Sequence, residues 1–416
     1  MASPRFQTSL ERRLRAIRAH PLLNPTALAA GWRERFARHP ADAQHEPHLA
    51  AAIEWLVRAQ DATTDGGIAR AYSLVWHPSY RRGGWQPSYP ETTGYIIPTL
   101  YGAARRLGRS DLAARAERAA RWEIEIQLPT GAVRGGVIGA PESPAVFNTG
   151  QVLLGWLAAF GETGQGSFAD AARRAARYLV ATLDPDGHWR SDNSRFARAD
   201  ATLYNTRTAW ALAEAGARLD ERRFTAAAAR SLQAAADLQT ENGWLPRCCL
   251  TDPEQPLLHT LAYAIRGLLE GGRVLGEPRL LHAAERAARS LTAKVRTDGW
   301  MPGRYRSDWS PAVRWSCLTG QAQMANNWMR LAEITGDATW LEPVPAVLRF
   351  LKRTQNRDSA DPGVRGGIKG AWPVSGAYGA YEVLSWATKF FADALMRHEA
   401  IQTNSLGAAS PVSVLA

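Results

Sequence analysis

The chain has 416 residues, 45% of them hydrophobic, which is enough for one large domain or for two or three average ones. Lysine and arginine outnumber aspartate and glutamate by 50 to 39, and this formal charge of +11 favours acidic partners, unless the arginines simply solvate outer helix faces. The sequence has no zinc-finger spacing and no long basic block, so we expect no nucleic acid partner, and its three cysteines, two of them adjacent, exclude a disulfide framework.

Residues 1–46 precede the first repeat, and we predict that they form a helical arm. Charges are spread through the start of this segment, so it is not a secretory signal. No apolar run in the chain reaches the roughly 18 residues that a membrane-spanning helix needs. We therefore expect a cytoplasmic location. Residues 47–400 hold the repeats, and the tail over 401–416 is expected to be disordered.

A glycine-centred turn, often followed by tryptophan, recurs along residues 47–400. The spacings between successive turn glycines are 65, 56, 56, 56 and 67 residues. Such a period is typical of a structural repeat in which one supersecondary unit is copied. The six glycines are Gly66, Gly131, Gly187, Gly243, Gly299 and Gly366.

A series of threonines runs in step with the glycines, and each threonine opens an apolar stretch. A threonine at this point predicts a helix N-cap, because its side-chain oxygen can accept from a free backbone N–H. The sixth stretch, from Ser385, has Trp386 in place of the threonine. The five threonines are Thr93, Thr149, Thr206, Thr260 and Thr319.

Two kinds of helix alternate in this pattern. The stretches that begin at the threonines are apolar on nearly all sides, as buried inner helices are. The segments between them, such as the one from Phe168 to Leu183, have one apolar stripe and one arginine-rich face, as outer helices do. A further outer helix at about 47–60 completes the count. We therefore predict an all-α fold, an (α/α)6 toroid of six helical hairpins, rather than an open solenoid.

In a closed ring of this kind the N-terminal ends of the inner helices and the glycine loops share one mouth. The side chains at that mouth are amides, phenols, guanidinium groups and indoles, which is the inventory of a sugar-binding site. Our candidate catalytic residues are Glu91, Tyr95, Tyr204, His259 and Tyr263. Our candidate substrate-binding residues are Trp85, Asn148, Gln151, Arg207, Trp244, Gln321, Lys369 and Trp372. The same positions also suit helix capping for Asn148 and core packing for His259.

The number of carboxylates at this mouth bears on the reaction. Most glycoside hydrolases need two, and Glu91 is the one clear candidate, with Glu382 as a second and loop aspartates such as Asp186, Asp298 and Asp308 as poorer ones. A single carboxylate beside phenols, a histidine and cations suits removal of the proton next to a uronic acid carboxylate. We therefore favour C5 epimerisation or β-elimination. A six-hairpin glycoside hydrolase and a non-catalytic glycan-binding scaffold are the alternatives.

No metal-binding or dinucleotide-binding motif is present, so we expect no metal and no cofactor. The turns DPDGHW, TENGW and TDGW resemble the Gln/Trp repeat of squalene cyclases and prenyltransferase β-subunits, although the aspartate-rich motif of the former and the zinc ligands of the latter are missing. The stretches SYPETTGYIIPTL, VFNTGQVLLGWL and CLTGQAQMANNWMRL resemble bacterial proteins of exopolysaccharide and capsule loci, over about residues 50–397. Fainter likenesses are to the C-terminal domain of glucuronyl C5-epimerases and to six-hairpin glycosidases.

These resemblances imply a role in surface polysaccharide biosynthesis. The implied partner is an acidic glycan or a lipid-linked oligosaccharide. For a protein without an export signal, such a partner would be met at the inner face of the membrane, where peripheral contact is expected.

Overall fold

The computed structural model describes residues 20–36, 44–193, 197–198 and 200–406. Parts of the predicted arm (1–19 and 37–43) and of the predicted tail (407–416) lie outside these described residues. Of the arm, helix α1 (Pro25–Phe36) is described. None of the described helices is long and apolar enough to cross a lipid bilayer.

Six hairpins follow the arm, as the repeats predict. The outer helices are α2 (Glu46–Asp61), α4 (Ser110–Glu125), α6 (Gly166–Thr182), α8 (Arg222–Asp237), α10 (Pro278–Thr292) and α12 (Val344–Thr354). The inner helices are α3 (Pro90–Leu107), α5 (Val146–Thr163), α7 (Thr206–Arg218), α9 (Leu258–Leu275), α11 (Leu318–Thr335) and α13 (Ser385–Leu406). Helix α13 extends beyond residue 401, where we placed the start of the tail.

Burial separates the two sets of helices. In the outer helix α6 one stripe that includes Phe168, Ala172 and Leu179 is buried, while Arg174 and Arg177 on the opposite face are exposed. In the inner helix α5 nearly every residue from its start to Leu157 is buried, because neighbouring helices cover it on several sides.

The ring is closed, and the prediction of a toroid rather than an open solenoid is confirmed. Each inner helix packs against the next, and the last one, α13, packs against both α2 and α3. Strand β1 (Ala71–His77) pairs on one side with β2 (Arg82–Trp85) and on the other with β5 (Glu382–Leu384), so backbone hydrogen bonds join the first repeat to the last. A second small sheet pairs β3 (Ser316–Cys317) with β4 (Ala371–Trp372).

The six repeated glycines adopt one conformation, with φ between 81° and 99°. This region is strained for residues with a side chain. Five of the six turns, all except that of Gly66, are also packed too tightly for a Cβ atom. A Cβ atom at Gly299 would lie 2.0 Å from the carbonyl oxygen of Ala346 in the next outer helix. At Gly366 it would lie 2.2 Å from the carbonyl oxygen of Ala51 in α2, which is the contact that closes the outer ring.

The N-cap prediction for the threonines is wrong. Helix α3 begins at Pro90, so Thr93 lies inside its first turn and makes no capping bond. Its Oγ1 accepts a hydrogen bond of 2.9 Å from the backbone N–H of Ile68, two residues after the turn glycine. The threonine therefore holds the incoming loop, whose N–H would otherwise be buried without a partner.

The same bond occurs in other repeats. Thr149 Oγ1 accepts from the N–H of Val133, and Thr388 Oγ1 accepts from the N–H of Ile368, each at 2.9 Å. Thr388 therefore takes the threonine role in the sixth repeat, so the apparent replacement by Trp386 was an error of alignment by two residues. This bond explains why the glycine and threonine series run in step.

Candidate active site

The inner helices bring a group of polar and aromatic side chains together at their N-terminal ends, and we call this group the cleft cluster. It consists of Arg70, Tyr89, Glu91, Tyr95, Gln151, Arg207, His259, Tyr263, Tyr378, Trp386 and Phe390. Its wall on one side is the β1–β2 hairpin, and on the other it is the loop over 373–381.

Glu91 is the half-buried carboxyl of the cleft cluster. Pro90 starts α3 in a conformation that suits a helix, so the next side chain is held at the mouth of the ring. The hydroxyl of Tyr89 donates a 2.5 Å hydrogen bond to Glu91 Oε2. Burial raises the pKa of Glu91 to about 7, although the Tyr89 bond and the charges of Arg70 and Arg207 act in the opposite direction. A carboxyl with this pKa can give or take a proton near neutral pH.

Arg207 lies in the first turn of α7 and is only 5% exposed. Its Nε donates a 2.6 Å hydrogen bond to Gln151 Oε1. The guanidinium carbon lies 5.1 Å from the ring centre of Tyr263 and 5.6 Å from that of Phe390. Within the described chain, no carboxylate forms an ion pair with it, and burial lowers its pKa. A buried cation of this kind is well suited to bind an incoming carboxylate.

His259 and Tyr263 stack one turn apart on α9, with ring centres 4.4 Å apart. His259 Nδ1 donates to Gln323 Oε1 at 2.8 Å, which leaves Nε2 as the acceptor nitrogen of a neutral imidazole. Burial lowers the pKa of His259 to about 4, so the ring is uncharged at neutral pH. Nδ1 of His259 thus has the structural role expected of a core histidine, while Nε2 keeps the acceptor lone pair that a catalytic role needs.

Two phenols complete the centre of the cluster. Burial and the neighbouring Tyr263 hold the pKa of Tyr95 well above its usual value, and burial and the charge of Glu91 do the same for Tyr263. Neither phenol oxygen reaches a partner with full hydrogen-bond geometry in the part of the chain that the structure describes. Both are therefore neutral donors. Tyr204, which was predicted to be catalytic, is not a member of the cleft cluster. Its ring contacts Phe147, which in turn contacts Tyr263, and its hydroxyl donates a hydrogen bond to Asn193.

Arg70 is a member of the cluster that the sequence did not reveal. It forms an ion pair of 3.0 Å with Glu382, and its guanidinium lies between the rings of Tyr80 (5.2 Å) and Trp386 (5.0 Å). Glu382 also accepts from Gln86 and is 3% exposed. Despite its burial, these partners hold the pKa of Glu382 below its usual value. Glu382 is therefore a fixed counter-ion of Arg70, so the second carboxylate considered above is not free.

Tyr378 was also missed. Its ring lies 5.4 Å from that of His259, and its hydroxyl accepts from Trp386 Nε1 at 2.8 Å. Tyr89 lies two residues before Glu91 in the sequence, although spacing alone does not predict their bond.

Four residues that were predicted to bind substrate, two tryptophans and two amides, do not belong to the cleft cluster, because their side chains bind other groups. Trp85 packs against Trp55 at 5.1 Å, and Trp244 packs against Trp309 at 5.1 Å. The remaining two are amides that hold loop backbone. Gln321 Nε2 donates to Gly299 O at 2.7 Å, and Asn148 Nδ2 donates to Arg134 O at 3.0 Å.

Lys369 and Trp372 lie on the side of the ring that faces the arm. Lys369 forms an ion pair with Glu34 of α1, and Trp372 packs against Phe350 at 5.5 Å. The loop aspartates bind their own turns, as Asp186 does with Arg190 at 2.6 Å. None of these residues belongs to the cleft cluster.

No family model and no curated protein sequence matches this chain. Solved structures match it over nearly their whole length. An unsaturated glucuronyl hydrolase specific for heparin matches with a TM-score of 0.68 and 18% identity, over 86% of this chain and 98% of that one. The cellobiose 2-epimerase from Bacillus thermoamylovorans B4167 gives 0.64 and 12%, over 85% and 98%. A D-mannose isomerase gives 0.65 and 12%, over 88% and 100%.

The chain therefore has the six-hairpin (α/α)6 toroid fold of these enzymes. At this level of identity the likeness concerns the fold. What the side chains of the cleft cluster do has to be argued from their own chemistry.

Proposed function

We propose that this protein is a carbohydrate-active enzyme that moves a proton on a uronic-acid-containing glycan, by C5 epimerisation or by β-elimination. The observation that carries the proposal is the presence in one cluster of a titratable carboxyl, Glu91, and a buried guanidinium, Arg207, that has no ion pair among the described residues. Named neighbours in fold include a glucuronyl hydrolase and a sugar epimerase, which supports a sugar substrate.

The chemistry needs three roles. A cation must hold the sugar carboxylate, because the electron pair left at C5 moves into that group. Arg207 takes this role, with Gln151 fixing its orientation. Glu91 in its charged form removes the C5 proton. A neutral phenol, Tyr263 or Tyr95, stands as the acid that returns a proton to C5.

The two outcomes differ in what happens next. Return of a proton to the opposite face of C5 gives the epimer, with no bond to oxygen broken. If the C4–O bond breaks instead, a C4–C5 double bond forms and the leaving oxygen takes up a proton. The same residues serve both, so the geometry supports the pair of reactions as one class.

Incubation with heparosan, hyaluronan and polymannuronate in deuterated water tests the proposal. We expect either deuterium at C5 by NMR or the ultraviolet absorbance of the unsaturated product. Glu91→Gln should abolish the signal, whereas Asp186→Asn, which alters a loop carboxylate outside the cluster, should not. Absence of both signals on all three polymers would refute the proposal.

Glycoside hydrolysis is the second candidate, because a carboxyl with a pKa of about 7 is also suited to act as a general acid. The pH profile separates the two candidates. Activity that requires charged Glu91 rises through pH 7, whereas activity that requires protonated Glu91 falls. Hydrolysis also releases new reducing ends without deuterium at C5. A scaffold role would follow if Glu91→Gln left the polymer unchanged while deletion of the protein lowered its yield.

The setting is part of the same proposal. We infer that the acidic glycan belongs to surface polysaccharide biosynthesis and reaches the enzyme as a polymer or as a lipid-linked oligosaccharide. The basic charge of +11 supports an acidic partner and favours contact with an anionic membrane face. Co-sedimentation with phosphatidylglycerol vesicles, compared with phosphatidylcholine vesicles, tests the membrane contact.

A further inference from the structure

A small cavity lies inside the ring. It begins at Arg207 and Phe390 of the cleft cluster and continues along the inner helices. Its volume of about 30 Å³ is enough for a small ion or for one or two water molecules, and is too small for a sugar ring. We call it the axial cavity. The residues that line it include Arg207, Trp210, Arg266, Asn327, Lys389 and Arg397.

Positive charge dominates the axial cavity. Lys389 is paired with Asp393 at 2.5 Å, and Arg397 with Glu333 at 2.6 Å. Arg266 contacts Glu270 at 3.0 Å. That carboxylate is shared, because Arg273 and Arg330 each approach Glu270 at 2.8 Å. Arg273 and Arg330 have a second carboxylate each, Glu214 at 2.7 Å and Glu333 at 2.9 Å. Among the described residues, Arg266 has only the shared Glu270, and Arg207 has no ion pair.

Two of these guanidinium groups share one aromatic ring. The guanidinium carbon of Arg207 lies 5.2 Å from the ring centre of Trp210, and that of Arg266 lies 5.6 Å from it. The charge of Arg207 acts against that of Arg266, and burial strengthens this repulsion because little water screens it. Arg266 is 8% exposed, and its Nε is buried without a hydrogen-bond partner among the described residues.

Buried charges in folded proteins are normally paired, and buried N–H groups normally have an acceptor. A small anion beside Arg266 would meet both requirements. Titration agrees with this geometry, because burial, together with the neighbouring cations, lowers the pKa of Arg266 to about 9 and that of Lys389 to about 8.

We propose that the axial cavity is a binding site for a small inorganic monoanion of chloride size, held by Arg266 with Arg207 and Lys389 around it. The ligand chemistry is that of a spherical or compact anion, and not of a glycan. The site shares Arg207 with the proposed glycan site, but Arg266 and Lys389 lie outside the cleft cluster, and anion binding there does not require the proposed reaction. The bound anion would stabilise the ring by reducing the repulsion between Arg207 and Arg266, which both contact Trp210.

Thermal unfolding of the full chain tests the proposal at constant ionic strength. Sodium chloride or bromide is compared with sodium isethionate, whose organic anion is too large for the cavity. We expect the midpoint to rise by a few degrees and to saturate with halide concentration, as for a ligand that binds only the folded state. Crystals soaked in bromide should show an anomalous peak beside Arg266.

Arg266→Gln should reduce the halide response at least tenfold. Arg218→Gln, which removes another arginine of the inner ring outside the axial cavity, should keep it. Equal midpoints in halide and isethionate, or bromide peaks at the surface only, would overturn the proposal. So would stabilisation by glucuronate but not by halide, because the cavity would then belong to the glycan site. No glycan turnover enters these measurements, so they stand apart from tests of the reaction.

Discussion

The hydroxyl of Tyr89 donates a 2.5 Å hydrogen bond to Glu91 Oε2 at the rim of the toroid. This bond favours the charged form of a carboxyl whose pKa burial raises to about 7. The two residues are separated by Pro90, which begins the inner helix, so the bond is built into the start of α3. Tyr89 therefore lowers the pH at which Glu91 exchanges its proton, against the larger effect of burial.

Tyr89→Phe removes that bond and should raise the pKa of Glu91 further, by about 0.5 to 1 unit. In a plot of activity against pH, the midpoint of the rise near pH 7 should shift to higher pH by the same amount, while the maximal rate changes less. Tyr178→Phe is the matched control, because Tyr178 donates to Asp192 at 2.7 Å on an outer helix. A midpoint that stays in place in Tyr89→Phe would show that Glu91 does not control the rate.

Glu91→Gln should stabilise the protein at alkaline pH. The pKa of Glu91 is about 7 in the folded chain and about 4.5 in the unfolded one, so the folded state binds more protons between these values. The contribution of Glu91 to the free energy of unfolding is therefore fully present below pH 4.5 and is lost as the pH rises through 7. At pH 8 the variant should gain about 1 to 3 kcal/mol, and at pH 4.5 almost nothing. Urea unfolding at the two pH values measures this difference.

Glu382→Gln is the contrasting variant. The pKa of Glu382 is lowered, because Arg70 and Gln86 favour its charged form over the opposing effect of burial. Its loss should destabilise the protein at neutral pH, by about 3 kcal/mol, since Arg70 is left without its counter-ion. If both glutamates behaved alike at pH 8, the assignment of one as titratable and the other as a fixed counter-ion would be incorrect.

Arg207→Lys keeps the charge and loses the planar group that contacts Trp210 and Tyr263. We expect Kd for an acidic glycan to rise at least tenfold, because a single ammonium replaces a two-point contact with the carboxylate. Binding of the same glycan with its carboxyl groups reduced to alcohols should change little. Isothermal titration with both polymers measures this. Equal losses for the two would mean that Arg207 supports the fold rather than the carboxylate.

Thr388→Val should lower the free energy of unfolding by about 1 to 3 kcal/mol. The buried N–H of Ile368 would lose its acceptor, while the shape of the side chain is kept. Thr388→Ser retains the oxygen and should cost about 1 kcal/mol or less. Denaturant unfolding of both variants provides the comparison, and an equal loss in the two would contradict the hydrogen-bond explanation.

Gly299→Ala should destabilise the ring much more than Gly164→Ala. Both glycines have positive φ, of 85° and 68°, so an alanine at either position adopts a strained backbone conformation. Only at Gly299 does the new Cβ meet backbone, at 2.0 Å from Ala346 O, whereas at Gly164 nothing lies within 4 Å. We expect a loss of about 1 kcal/mol at Gly164 and of 3 kcal/mol or more at Gly299. Thermal unfolding measures the loss of stability in both variants. Similar losses would show that the turn at Gly299 can move away from the next outer helix at little cost.

The closed ring of hairpins could be predicted from local signals in the sequence. The positions of Gly66 to Gly366 and the alternation of apolar and one-sided helices are local signals, because a helix shows its buried face in its own period and a tight turn shows its glycine. The sequence also identified Glu91, Arg207, His259 and Tyr263, since each lies in the first two turns of an inner helix, where the fold leaves little choice of direction.

Which loop residues share the cleft depends on contacts that form only in the folded ring. Arg70 acquires its counter-ion from Glu382, 312 residues away, and Lys369 is bound by Glu34 of the arm. Trp85 and Trp244 have the composition of sugar-stacking residues, yet each packs against another tryptophan. A loop side chain takes its direction from partners that are distant in sequence, and these partners meet only when the ring closes.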